Sequence, residues 1–229
     1  MRKRIHELLQ ISILSSIRVN FRILPFYQAV RFPIIVARHV KIDGHLSKNA
    51  IKLNGRIRPG RILLGFGGSA NLLYTRTRRS YLSICGTGQA VFEGTARFSP
   101  QFTLIIKDAA LKIGTGFSCN NGSMIICNCG MTFGDNCMLG RDVEIRDSDG
   151  HYILEEREHQ EIVRNNKRKI RLGNNVWVCS RVTILKGVEI GSNCVVAHSS
   201  VCTKSISGDG LLIGGYPAKV IRENISWKR

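Results

Sequence analysis

The chain has 229 residues, 43% of them hydrophobic, and 34 Lys+Arg against 16 Asp+Glu give a formal net charge of +18. That apolar share supports a packed core of one or two domains and excludes both a disordered chain and a small disulfide scaffold. A membrane-spanning helix is excluded too: Arg18, Arg22, Arg31 and Arg38 interrupt the most apolar region well before the roughly 18 uninterrupted residues it would need.

Residues 1–40 read as a basic N-terminal segment. LLQISILSSI predicts a helix, and Pro25 and Pro33 break the stretch after it. The start MRKRIHELLQISILSSIRVN has a basic front but no small-residue cleavage site, so a cytoplasmic location is expected. Residues 1–80 hold 16 Lys+Arg with only Glu7 and Asp43 as acids, a net +14, whereas 18 Lys+Arg and 14 acids leave +4 for the remainder. This asymmetry points to an acidic partner for the front of the chain, either nucleic acid or an anionic membrane surface, and residues 1–60 are expected to dock on anionic lipid at the inner face of the cell membrane or on an acidic glycan.

Residues 41–215 read as a solenoid. Up to about residue 112 apolar residues alternate with Gly or polar ones, as in irregular β coils. A six-residue period then sets in at Ile113, Cys119, Ile125, Met131, Cys137 and Val143, with Phe133, Leu139 and Ile145 as a companion class. The period recurs at Leu172, Val178, Ile184, Ile190, Val196 and Cys202, and four residues after each stand Val176, Val182, Val188, Cys194, Ser200 and Ile206. Such a hexapeptide pattern places one flat strand and one turn on each side of a triangular coil of about 18 residues, and stacked coils bury a continuous interior. Cys119, Cys127, Cys129, Cys137, Cys194 and Cys202 fall inside the pattern and read as small buried hydrophobes. Cys127-x-Cys129 lacks the spacing of a zinc knuckle, and no metal is expected.

Between Ile145 and Leu172 the phase slips. The polar stretch RDSDGHYILEEREHQEIVRNNKRKI contains no repeat and predicts a protruding loop over about 147–170, the kind of excursion on which solenoids carry function. His151 follows Gly150 in this loop, with Asp149, Glu155 and Glu156 near it. Residues 216–229 read as a C-terminal cap, with the repeats ending at Pro217 and a short helix expected over Lys219–Trp227. Trp177 is expected to pack at a coil edge or a subunit contact.

The hexapeptide runs, the phrase DSDGHYI, and NNVWVCSRVTILKGVEIGSNCVVAHSSVCTKS followed by GGYPAKVIREN together resemble the left-handed parallel β-helix acyltransferases. The chain is most similar to the capsule and lipopolysaccharide O-acetyltransferases and to the galactoside and maltose acetyltransferase branch, over about residues 111–225. The resemblance implies a homotrimer, acetyl-CoA along the late coils, and active sites between neighbouring subunits. It makes His151 the general base, places Asn120 on the acceptor hydroxyls, and puts Asn128 where the galactoside branch carries an Asp. Ser180 and Ala197 would lie beside the pantetheine arm, with His198 reshaping that channel, and Thr203, Lys204 and Arg222 near the nucleotide phosphates. Asp149 and Glu155 are candidates for acceptor binding, and with Glu156 for orienting the imidazole. For Asn120 and Asn128 a second reading is a corner residue in the left-handed conformation.

The chemistry asks for a histidine independently of any family. A sugar hydroxyl ionises far above pH 7, so its attack on a thioester needs a base, and imidazole can take that proton and return it to the leaving thiolate. The reaction the resemblance implies is acetyl transfer from acetyl-CoA to a hydroxyl of a bacterial surface glycan; the alternative is N-acetylation of a nucleotide-linked amino sugar. A metal-dependent carbonic anhydrase on the same solenoid would need three His ligands across an interface, and the spacing of His151, His159 and His198 does not match. A nucleic acid partner is not expected, because it would leave the chemistry of the loop unexplained.

Overall fold

The protein is described by a computed structural model over residues 8–43, 46–67, 79–152, 154–157, 160–163 and 166–229. Its six-residue period becomes a left-handed parallel β-helix. Among the described residues its three faces are sheets of nine, seven and six strands, in which neighbouring strands come from successive coils and pair in parallel, apart from the antiparallel last strand of the nine-stranded sheet. Both periodic classes point inward: from Ile113 to Cys202 every residue of either class is buried, and only Ile206, at the end, is half-buried. The first paired strand is Ile34–Val36, which lies ahead of residue 41 and pairs in parallel with Ile62–Leu64.

Coil size varies along the axis. In the late coils Val178 pairs with Val196 and Ile184 with Cys202, eighteen residues on, which is the step expected from the sequence. Earlier, Cys119 pairs with Leu139 and Ile125 with Ile145, twenty residues on, and Phe98 with Cys119, twenty-one on. The additional residues lie at one corner, where the chain passes from the seven-stranded to the six-stranded face. That corner is also where the insert leaves the solenoid, between Glu144–Arg146 and Ile170–Leu172. The larger coils are filled by rings: Phe98 lies 5.3 Å from Phe102 and 5.4 Å from Phe117, and Phe117 stacks on Phe133 at 5.7 Å. A Phe core needs more perimeter than a Val or Cys core, which is why the short period fades toward the N-terminus.

The corner leading back from the six-stranded to the nine-stranded face explains the repeated Gly-Asp and Gly-Asn steps. The backbone N–H of Thr115 donates to Asp135 Oδ1 at 2.8 Å, that of Asp135 to Asn174 Oδ1 at 2.9 Å, that of Asn174 to Ser192 Oγ at 3.1 Å and that of Ser192 to Asp209 Oδ1 at 2.6 Å. Such close stacking leaves no space for a side chain at Gly173, where a Cβ would lie 2.7 Å from the backbone nitrogen of Ser192.

At the N-terminus Ser12 caps the helix α1 (Ile13–Ile23), and the chain leaves it at Leu24, ahead of Pro25, before the short α2 (Phe26–Ala29). At the other end the expected helix over Lys219–Trp227 is not formed. Instead Leu212–Gly215 and Ala218–Arg222 make an antiparallel hairpin across Tyr216-Pro217. The parallel sheet already runs through Leu212–Gly215, so its open edge offers ladder partners to Val220 and Arg222 that a helix would leave unmet. Beyond it the tail runs back down the solenoid: the Trp227 indole N–H donates to the Asn175 carbonyl at 2.7 Å, and its ring lies 5.8 Å from that of Trp177. Trp177 thus packs at a coil edge, against its own tail.

All eight cysteines are free thiols. Cys119, Cys127, Cys137, Cys194 and Cys202 are interior, as expected, but Cys129 is a half-buried corner residue. Burial pushes Cys119 up to about 12 and Cys137 and Cys202 up to about 11, against an ordinary thiol value of 9.0. In the folded chain these thiols hold their protons where the unfolded chain has lost them, so folding stability falls as pH rises from about 9 toward about 12. Denaturant midpoints measured across that window should decrease, and Cys119→Ala should flatten the decrease. A thiol reagent at pH 8 should modify exposed Cys85 first and reach the interior thiols only on unfolding.

Candidate active site

The site grows from the corner that follows the seven-stranded face. After Ile125 the backbone turns through Asn128, Cys129 and Gly130, and one coil later it turns through Asp147. Asp147 is fully buried, and the backbone N–H groups of Asn128, Cys129 and Gly130 donate to its carboxylate at 2.7, 2.9 and 2.7 Å. Its own carbonyl accepts from the Arg168 N–H at 3.0 Å. Asp147 therefore ties the outgoing and returning limbs of the insert to the coil below.

Above this tie the limbs remain paired. Ser148 bridges Lys167, and the Asp149 N–H donates to the carbonyl of buried Asn166 at 2.9 Å. The Asp149 carboxylate is engaged through one oxygen by Lys186 from the next coil. Gly150, at φ +82 with nothing near its missing Cβ, then turns the chain outward, and its N–H donates to Ser148 Oγ at 3.1 Å. His151 follows, exposed, and among the described residues no side chain hydrogen-bonds to it. A ring placed this way can take a proton from a molecule arriving from solvent. The insert ends in an antiparallel hairpin, Leu154–Arg157 with Gln160–Val163, which carries Glu155 opposite Ile162.

The residues singled out from the sequence fall on two edges of the prism. Asn128, Asp149, Thr203 and Lys204 share the edge just described. Lys186 joins them, because Ile184 pairs with Cys202 and the two lysines follow in register. Asn120, Ser180 and Ala197 occupy the previous edge, after the nine-stranded face, where Ser180 Oγ accepts from the Arg141 N–H at 3.1 Å and the Ala197 N–H donates to the Ile213 carbonyl at 2.7 Å. His198 is exposed beside Ala197. One strand with its turns, about five residues at 3.3 Å, separates the edges by about 15 Å within one chain. Arg222 is exposed at the end of the last strand of the nine-stranded face.

Asn120 and Asn128 do not have the left-handed backbone that would explain an Asn at a corner. That conformation is taken by Gly122 and by Asn136, Asn175, Asn193, Asp142, Arg181 and Ser199. Both asparagines are half-buried. Asp147 and Lys186 were missed in the sequence. The signals were present: Asp147 lies two residues after Ile145 and so points inward, and Lys186 precedes Lys204 by one coil.

Residues 169–204 match the family model described as bacterial transferase hexapeptide (six repeats). The chain is 38% identical over 117 residues to the polysialic acid O-acetyltransferase of Escherichia coli O1:K1 / APEC, covering 51% of this chain and 36% of that protein. It is 34% identical over 116 residues to the galactoside O-acetyltransferase of Escherichia coli (strain K12), covering 49% and 54%. The matched parts thus span from about a third to just over half of these curated relatives. Among solved structures, that of the polySia-specific acetyltransferase NeuO is 26% identical with a TM-score of 0.51, covering 78% of this chain and 82% of that one.

Proposed function

We propose that the chain is an acetyl-CoA-dependent O-acetyltransferase that modifies a sugar hydroxyl of a bacterial surface glycan. The observation that carries this reading is His151, presented to solvent by an insert whose root is pinned by Asp147 on a solenoid with the hexapeptide repeats of bacterial transferases. The relatives named above are O-acetyltransferases of a sialic acid polymer and of galactosides, which supports a hydroxyl as acceptor.

In this reading His151 removes the hydroxyl proton as the oxygen attacks the thioester carbonyl carbon. The new C–O bond forms, the C–S bond breaks, and the imidazolium returns the proton to the coenzyme A thiolate. No acyl-enzyme is formed, and backbone N–H groups beside the thioester stabilise the oxyanion. Lys204 with Thr203, and Arg222, meet the nucleotide phosphates, and Ser180 and Ala197 line the pantetheine path. Asn120 and Asn128 hold acceptor hydroxyls, with Asp149 and Glu155 bordering them. The proposed donor residues (Ser180 and Ala197 against Thr203 and Lys204) and the acceptor asparagines (Asn120 against Asn128) are each divided between two edges of one chain, which favours a homotrimer in which an edge of one copy faces the other edge of its neighbour.

Among the described residues no helix is long and apolar enough to cross a membrane. The basic front of the chain supports a peripheral contact with an anionic membrane, where surface glycans are assembled.

Thiol release from acetyl-CoA across neutral hexosides, amino sugars and nucleotide-linked amino sugars tests the reaction. Release with hydroxyl-only acceptors is expected. Release confined to amino sugars would replace this reading with N-acetylation.

A further inference from the structure

Helix α1 turns its small polar residues inward. Its buried face consists of Ser16, Val19, Asn20 and Ile23. Asn20 Nδ2 donates to the Ile34 carbonyl at 2.7 Å while its Oδ1 accepts from the Ile34 N–H at 3.2 Å, and Ser16 Oγ accepts from the Val36 N–H at 3.0 Å. These bonds close the open edge of the first strand of the solenoid. The face left outside is apolar. Ile13, Ile17 and Phe21, at i, i+4 and i+8, form a stripe, with Leu14 beside it 81% exposed and Phe26 of α2 continuing it at 74%.

A second stripe, basic, runs along the same helix through exposed Arg18 and Arg22. Between these two arginines and the coil lies a cavity of about 100 Å³, floored by Val40, Ile42 and Leu46. From residue 8 to residue 42 the sequence contains neither Asp nor Glu. An apolar stripe bordered by guanidinium groups, without acids, is the pattern of a helix lying in the interface of an anionic bilayer, where Arg reaches lipid phosphates and the stripe meets the acyl chains. Another copy of this chain is a poorer occupant, because stacking end to end would set Arg18 and Arg22 against the same arginines.

We infer that this end of the solenoid docks on anionic phospholipid through α1 and α2, with lipid phosphate seated between Arg18 and Arg22. The inference builds on the membrane contact proposed above and specifies its face and its depth. On the seven-stranded face the coil that releases the insert is four strands above the first, so at about 4.8 Å per strand the site stands about 20 Å above the first coil, with α1 between that coil and the headgroups. That height suits an acceptor that is carried on a lipid and extends from the membrane.

The test is co-sedimentation of the full chain with phosphatidylglycerol–phosphatidylcholine vesicles and with phosphatidylcholine vesicles. Wild type should bind the first and not the second. Ile17→Glu with Phe21→Glu should weaken binding at least about tenfold, Arg18→Glu with Arg22→Glu should weaken it comparably, and Arg18→Lys with Arg22→Lys should retain it. All variants should keep circular dichroism and thiol release with a soluble acceptor unchanged. Equal or absent binding to both vesicle types by wild type would overturn the inference, as would wild-type binding by the Ile17→Glu, Phe21→Glu variant. A drop in oligomeric state of that variant by sedimentation velocity would assign the face to a second copy and also overturn it. Thiol release absent from every protein, with selective vesicle binding intact, would count against the enzymatic reading alone.

Discussion

Replacing His151 with Ala should lower turnover about a thousandfold, within the range expected for loss of a positioned general base. Folding should be untouched, because the side chain is exposed and makes no hydrogen bond among the described residues. Acetyl-CoA affinity should also persist, since the residues proposed to hold the donor come from the coils after the insert. The readout is therefore a split: kcat falls, while the dissociation constant for acetyl-CoA, from calorimetry, stays within about twofold. His151→Asn removes the base at similar size and should behave as Ala. Unchanged turnover in either variant would sink the assignment of His151.

The second large effect is expected at Asp147, which touches no substrate in this account and acts as a positioning residue. Asp147→Ala leaves the N–H groups of Asn128, Cys129 and Gly130 without their acceptor, and Gly130 is buried. Unmet buried donors cost about 1–3 kcal/mol each, and partial hydration at the two half-buried positions brings the expected loss to about 3 kcal/mol. With the tie gone, the limb that carries His151 is held less well, and misplacement on the order of 1 Å suffices for a kcat loss of about a hundredfold. A merely structural role would lower the unfolding midpoint and leave kcat per folded molecule unchanged. Asp147→Asn keeps one carbonyl oxygen and should recover part of both quantities. Guanidinium unfolding and active-site-normalised kinetics on the two variants separate these outcomes.

The late coils were legible because their interior is filled by Val, Ile, Leu and Cys of similar size. One short strand per six residues then suffices, and Leu172 through Cys202 show it without interruption. The earlier coils were not, because Phe98, Phe102, Phe117 and Phe133 widen the interior and add residues at a single corner, so the period shifts while the architecture does not. The C-terminal helix was misread for another reason: Lys219–Trp227 carries no local signal for the open sheet edge at Leu212–Gly215, which is made by chain far away in sequence. Position within the insert marked His151, but what supports it could not be read there. The acids Asp149, Glu155 and Glu156 drew attention as neighbours in sequence. In the structure Asp149 pairs with Lys186, and the carboxylate that fixes the root of the insert is Asp147, two residues earlier and turned to the interior.

The two-edge arrangement gives the exposed site its physical sense. Asn128, Lys186, Lys204 and the limb of His151 rise from one edge, whereas Asn120, Ser180 and Ala197 lie on the previous edge, about 15 Å away on one chain, too far for both sets to meet in one transition state. In the proposed homotrimer, side-by-side packing would bring unlike edges together without moving any of these groups.

The central claim is that His151 drives formation of an oxygen ester on a sugar. The most direct test incubates the protein with acetyl-CoA labelled in the acetyl group and a hydroxyl-only glycan acceptor, and follows the label into product by mass spectrometry before and after mild alkali. The account predicts one acetyl per modified sugar, removed by alkali, formed by wild type and absent with His151→Ala. An alkali-stable amide, or an ester formed equally by the His151→Ala protein, would contradict it.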